Sequence, residues 1–169
     1  MELRIGARSK APFVRLCVGA LLKNLRNRLF LCILLETFFR GTLMATLKFW
    51  KCAKCGNILH VLNDKCDGLT CCGDAMKELK ANTTDGAHEK HVPVIAVDGA
   101  TVTVKVGSAE HPMADDHWIQ WIMLHTEKGE QRKVLNPGEK PEATFVLKDD
   151  TVLAAYEYCN KHGLWKADC

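Results

Sequence analysis

Four histidines and one cysteine in the second half of this 169-residue chain fall in three short clusters: Glu89-Lys90-His91, His111-Pro112-Met113 with His117 six positions on, and Cys159-Asn160-Lys161-His162. One thiolate among several imidazoles is a ligand field for a redox-active iron with an open position, so the set points to a reaction as well as to a metal. A single histidine beside a turn is ordinarily a solvated or hydrogen-bonded residue. Four converging with a cysteine are read differently. His60, His88 and His125 have no such company and read as ordinary residues.

A second donor set lies upstream. Cys52-Ala53-Lys54-Cys55-Gly56 is a metal knuckle, two thiolates on a tight turn with Gly56 free to take the positive φ that aims backbone N–H groups at sulfur. Cys71 and Cys72 are adjacent, and neighbouring side chains on a strand point to opposite faces, so the two can share one metal only where the backbone turns between them. Four cysteines in tetrahedral geometry accept zinc or iron, and the spacing does not choose between them. A fold of this size, about residues 44–80, needs such a staple. Cys66, beside the turn residues Asp67-Gly68, reads as a free thiol, and Cys17, Cys32 and Cys169 as bystanders.

The elements that must bring the histidines together are strands. Val92 to Val97, Asp98-Gly99 and Thr101 to Val106 read as a hairpin with period-two alternation. Trp118 to His125, Glu142 to Lys148 and Thr151 to Tyr158 continue the pattern between the turn signals Lys128-Gly129, Asn136-Pro137-Gly138 and Asp149-Asp150. No stretch of this half has a helical period. Five or more short antiparallel strands over residues 81–169 predict a β-sandwich of immunoglobulin-like size, whose end loops can gather residues distant in sequence. Gly163 is expected to end the turn that carries His162.

Composition supports an ordinary globular protein, 47% hydrophobic and 25% charged. The formal net charge of +3 is unevenly spread: residues 1–43 carry eight Lys or Arg against two Glu, and the remainder has 15 basic and 18 acidic residues. The mildly acidic body argues against nucleic acid as a partner, since phosphate binding needs a dense basic patch. The first 43 residues hold an apolar run, Leu29 to Leu35, well short of the ~20 residues that cross a bilayer. A basic amphipathic surface helix or a signal-like segment are its functional readings. The favoured reading is instead that the segment is no part of the mature protein, which is expected to start at Met44, where composition changes. Nine cysteines at ligand-like spacing, not disulfide-like spacing, indicate a reducing cytoplasm.

Taken together, Cys52-x-x-Cys55, Cys71-Cys72, Glu89-Lys90-His91-Val92-Pro93, His111-Pro112-Met113, His117-Trp118-Ile119 and Tyr158-Cys159-Asn160-x-His162-Gly163-x-Trp165 closely resemble the desulfoferrodoxins, the two-iron superoxide reductases. The resemblance runs from Met44 to the C-terminus with every motif in the family's order. It implies a mainly β protein, a small desulforedoxin-like four-cysteine module followed by the immunoglobulin-like sandwich. It further implies two iron ions and neither haem nor flavin. Cys52, Cys55, Cys71 and Cys72 would hold a rubredoxin-like iron; His91, His111, His117 and His162 would form the equatorial plane of a catalytic iron with Cys159 axial.

The activity so implied is one-electron reduction of superoxide to hydrogen peroxide, with electrons returned by a rubredoxin-type donor and the chain forming a homodimer. Lys90 is expected near the open position, attracting the anion and orienting a proton-supplying water, and Glu89 resembles the residue that closes onto the oxidised iron after turnover. Backbone N–H groups of Asn160 and Lys161 are expected to hydrogen-bond the Cys159 sulfur. Two other classes compete: an electron carrier in which both irons only relay, and a zinc-stapled structural protein.

Overall fold

The computed structural model describes residues 46–169 apart from 64, 66 and 67. The basic segment 1–43, the start at Met44, and Cys17, Cys32 and Cys66 therefore lie outside the described residues.

Period-two alternation sets the inner layer of the sandwich. In β7 (Thr101–Val106) every second residue, Val102, Val104 and Val106, is buried, and Ala143 and Phe145 of β10 (Glu142–Val146) line up beside them. β7 pairs antiparallel with β6 (Pro93–Asp98) on one side and β10 on the other. The β6–β7 hairpin turns at Gly99, whose φ of 56° is open to glycine and costly to most other residues. The facing sheet has the order β12-β11-β8-β9, from Gly163–Asp168, Val152–Cys159, Ile119–Thr126 and Gly129–Val134. Seven antiparallel strands in two sheets agree with the sandwich expected from the sequence.

Strands β8 and β11 are buried on both faces, a pattern that a two-layer sandwich alone does not explain. The second face is covered by the cysteine module. There β1 (Lys48–Lys51) lies between β2 (Ile58–Val61) and β5 (Lys77–Leu79), and the hairpin of β3 (Thr70–Cys71) and β4 (Asp74–Ala75) carries the second cysteine pair. Phe49 of β1, 1% exposed, stacks on Trp121 and lies against Tyr156, its ring centroid 5.4 Å and 5.7 Å from theirs. Burying such a side chain contributes about 1.5–3 kcal/mol, so the module and the sandwich share apolar surface that neither would keep dry alone.

Three elements depart from expectation. β9 was not expected because Gly-Glu-Gln-Arg-Lys-Val is exposed along its whole length and shows no alternation. Gly163 ends the turn that carries His162 as expected, but with φ 74° it leads into a strand that was not expected, β12, which pairs back along β11 from Cys159↔Gly163 to Ala154↔Asp168. A single helical turn, α1 (His88–His91), stands where no helix was expected, since four residues are too few to display a period.

Candidate metal centres

The module gathers its four sulfurs as the knuckle chemistry predicts. Gly56 has φ 76° and its N–H donates to the Cys52 carbonyl at 3.1 Å, closing the first turn. The second pair is solved by an uncommon backbone: Cys72 itself takes φ 55°, followed by Gly73 at 84°, which rotates the two neighbouring side chains onto one side. Lys54 holds that strained turn from the first knuckle, donating to the Cys72 carbonyl at 3.3 Å and pairing with Asp74 at 3.1 Å. The sulfurs of Cys55 and Cys71 lie 3.6 Å apart, those of Cys71 and Cys72 3.8 Å apart, and all four fall within 4.8 Å of one another.

Electrostatics in the module favour a bound cation. The backbone N–H of Cys55 draws the Cys52 thiol down to about 7, whereas its sulfur neighbours, Cys55 first, push Cys71 up to about 12. One thiolate forms readily, while Cys71 and Cys72 resist ionising beside their sulfur neighbours. A metal ion removes that repulsion, which is why four converging sulfurs fit one.

The second set is built at one end of the sandwich. α1 presents His91; the loop after β7 is folded onto it, with the Ala109 N–H donating to the Glu89 carbonyl at 2.8 Å and the Gly107 N–H to the Val92 carbonyl at 3.2 Å. Gly107 sits so close, at φ 77°, that a Cβ there would lie 2.6 Å from the Glu89 and Ala109 oxygens. His111 follows on the same loop, which the Gly138 N–H fastens at the Met113 carbonyl at 2.7 Å. His117 is fixed by a two-way bridge to Ala114, 3.0 Å in each direction. Cys159 ends β11 and His162 lies in the turn before β12.

Four imidazoles result, arranged as a square. Successive ring centroids are separated by 4.7 Å (His91–His111), 4.7 Å (His111–His117), 4.8 Å (His117–His162) and 4.7 Å (His162–His91), each pair steeply inclined. The Cys159 sulfur lies 3.6 Å from Nε2 of His111 and 3.6 Å from Nδ1 of His162. Nε2 of His117 faces Nδ1 of His162 at 3.2 Å, so His162 turns its other ring nitrogen inward than His111 and His117 do. His91, His111 and Cys159 are buried, and His117 and His162 are half-buried, which leaves the square accessible from one side.

Burial, and then the charge of the neighbouring rings, pushes His91 down to about 3, and burial pushes His111 down to about 4. Both are therefore neutral donors at physiological pH. Burial also raises the Cys159 thiol, opposed by backbone N–H groups of His162 and Lys161. The expected pair of sulfur-facing donors is corrected accordingly: the Asn160 N–H instead donates to the Trp118 carbonyl at 3.2 Å, because Asn160 is the staple of this corner. Its side chain accepts from the Trp118 N–H at 3.0 Å and donates to the Asp116 carbonyl at 2.9 Å, locking the His117 loop to the Cys159 turn. Lys161 adds a 2.7 Å ion pair to Asp116.

Glu157 is the site residue that the sequence reading passed over. Fully buried two residues before Cys159, its Oε1 lies 3.3 Å from Nδ1 of His91 and fixes which nitrogen of that ring points inward. Burial raises its carboxyl well above the ordinary range. The signal was available: an acidic residue in an otherwise apolar strand, on the face of Cys159. Glu89 and Lys90 are both exposed; the Glu89 carbonyl anchors the loop, and Lys90 borders an open cleft of about 470 Å³ that also touches His111, Glu110 and Lys140. Inward-facing ring nitrogens packed against a buried sulfur repel through their lone pairs unless a cation lies among them, so both donor sets fit a metal.

Comparison with known proteins agrees with this geometry. Residues 83–168 match the family model for desulfoferrodoxin, and residues 45–79 that for the desulfoferrodoxin N-terminal domain. The chain is 50% identical over 121 residues to a desulfoferrodoxin of Nitratidesulfovibrio vulgaris, covering 72% of this chain and 95% of that one. It is 46% identical over 121 residues to a desulfoferrodoxin homologue of Archaeoglobus fulgidus, covering 72% and 96%. Among solved structures, the superoxide reductase from Treponema pallidum superposes with a TM-score of 0.63 at 40% identity, covering 73% of this chain and 99% of that one. Two donor sets of the right chemistry, on a matching fold and a matching sequence, place this chain in the desulfoferrodoxin family, with one iron centre of four cysteines and one of four histidines and a cysteine.

Proposed function

We propose that the protein reduces superoxide by one electron to hydrogen peroxide at the four-histidine, one-cysteine centre and is re-reduced by a rubredoxin-type carrier. The observation that carries the reading is the square of imidazoles with a buried sulfur close to two of its corners and two half-buried corners facing outward. That is a donor set with room for a small anion. The kinship to a protein named superoxide reductase supports the choice of anion. One superoxide, one electron and two protons balance to one hydrogen peroxide.

His91, His111, His117, His162 and Cys159 would hold the iron, which would supply the electron when bound. The chain's own residues do the rest. Lys90, at the edge of the cleft beside His111, attracts the anion and holds a water that can deliver a proton. Glu89, next to it, is the carboxylate that closes on the site after turnover. The N–H groups of His162 and Lys161 withdraw charge from the Cys159 sulfur and so set its donor strength.

The reading extends to organisation. Residues 44–80 form the iron module and 81–169 the catalytic sandwich, the chain assembles as a homodimer, and it works in a reducing cytoplasm. The six described cysteines are all free, and among the described residues no helix is long and apolar enough to cross a membrane.

The test is stopped-flow mixing of the iron-loaded, reduced protein with superoxide. Stoichiometric appearance of a coloured ferric thiolate, with peroxide formed and no oxygen evolved, is expected. Oxygen released at half the superoxide consumed would mean dismutation, and a colourless, unreactive protein would mean zinc.

A further inference from the structure

The geometry points to Trp165 as a positioning residue that sets two adjacent ligands, His91 and His162, as one unit and thereby fixes the symmetry of the imidazole square. Trp165 is fully buried on β12, directly across from Glu157 on β11, so both side chains rise from the same face toward the same histidine. Glu157 takes an edge of the His91 ring; Trp165 takes its face, with ring centroids 4.9 Å apart and planes only 12° from parallel. That contact matters because the torsion turning an imidazole about its Cβ–Cγ bond is broad and has no sharp rotamer of its own. A hydrogen bond at Nδ1 fixes which nitrogen points inward, but a flat wall is needed to fix the plane.

The same indole reaches the neighbouring corner through its edge. Nε1–H of Trp165 donates to the His162 carbonyl at 3.1 Å, and the Thr84 hydroxyl donates to the same oxygen. Tethering that carbonyl fixes the peptide plane of the turn, and with it the direction in which the His162 side chain leaves the backbone. Gly86 closes the assembly: a Cβ there would fall 2.7 Å from Cζ2 of Trp165 and 2.9 Å from Cδ2 of His91. Among the described residues, no aromatic ring other than a ligand imidazole packs on His111 or His117. One indole thus reaches two corners of the square, while His111 and His117 are held through their loop backbone and the Asn160 side chain.

The inference rests on the four-histidine, one-cysteine iron centre but not on superoxide as substrate. It is tested on the full chain loaded with iron, by electron paramagnetic resonance of the oxidised four-histidine centre, whose signal reads equatorial symmetry directly, with iron content measured alongside. Trp165→Leu removes wall and tether, Trp165→Phe keeps a ring but no donor, and Gly86→Ala crowds the indole and His91 from behind. We expect Trp165→Leu to change the ferric signal and to weaken iron binding at this centre by roughly 10–100-fold, the loss usual for residues that orient ligands. Trp165→Phe should lie between it and the parent, with the four-cysteine iron unaffected. Should Trp165→Leu not fold, Gly86→Ala carries the test. Unchanged signal and iron content in whichever of these two variants folds would overturn the proposal. Failure to reduce superoxide with these signals as expected would instead count against the activity alone.

Discussion

Replacing Glu157 separates what holds the catalytic iron from what holds the fold. The carboxyl is fully buried, one oxygen 3.3 Å from Nδ1 of His91 and the other without a partner among the described residues. Glu157→Ala leaves the His91 N–H unpaired in a dry site, a loss of about 1–3 kcal/mol in the metal-bound protein. Converted to affinity this is on the order of 10–100-fold, the range seen when a residue orienting a metal ligand is removed. Stability of the metal-free protein should change less, because the substitution also removes a buried oxygen that has no partner, offsetting part of the cavity cost. Glu157→Gln keeps the volume and offers a carbonyl to the same N–H, so its affinity should fall by less than about tenfold. The assay is competition for iron with a chelator, the four-cysteine iron serving as internal reference through its own absorption. Glu157→Ala binding within about twofold of the parent would refute the argument that this carboxyl orients His91.

Three further outcomes are expected. Lys90→Ala should lower the second-order rate with superoxide and flatten its dependence on ionic strength, measured by stopped flow, because the ammonium at the cleft edge would no longer steer the anion. Gly107→Ala should destabilise the fold by about 1–2 kcal/mol from its left-handed φ, with more from the backbone oxygens its Cβ would meet; a melt will show it, together with reduced catalytic iron. Acidification should weaken the metal-free protein: His91 and His111 fold with values depressed below 6.5, so the unfolded chain takes up protons first and stability falls as pH drops below about 6.5 toward 4. Glu157, raised by burial, acts with the opposite sign, since it keeps a proton that the unfolded chain releases above 4.5. The net slope should be on the order of 1 kcal/mol per unit between about pH 6 and 5, read from urea midpoints, and a flat profile would contradict buried neutral histidines.

The amino-acid sequence by itself determined the donor chemistry. Cys-x-x-Cys with a following glycine, an adjacent cysteine pair, and histidines at strand ends state which atoms can bind metal, because ligand type and short spacing are local properties. The alternation through Val102, Val104 and Val106 likewise determined the sandwich, since burial on one face is written at every second residue. Strands without that contrast stayed hidden: β9 is polar on both faces, and β12 lies behind a glycine that reads equally well as an end or a turn. Only the tertiary structure decided how the ligands meet. The square depends on Asn160 joining the His117 loop to the Cys159 turn across more than forty residues, and on Glu157 and Trp165 reaching one histidine from paired strands. The double burial of β8 and β11 is explained only when Phe49 of the iron module is seen against Trp121 and Tyr156. Such long-range contacts leave no period or spacing in the chain, so chemistry is legible from neighbours in sequence and geometry from neighbours in space.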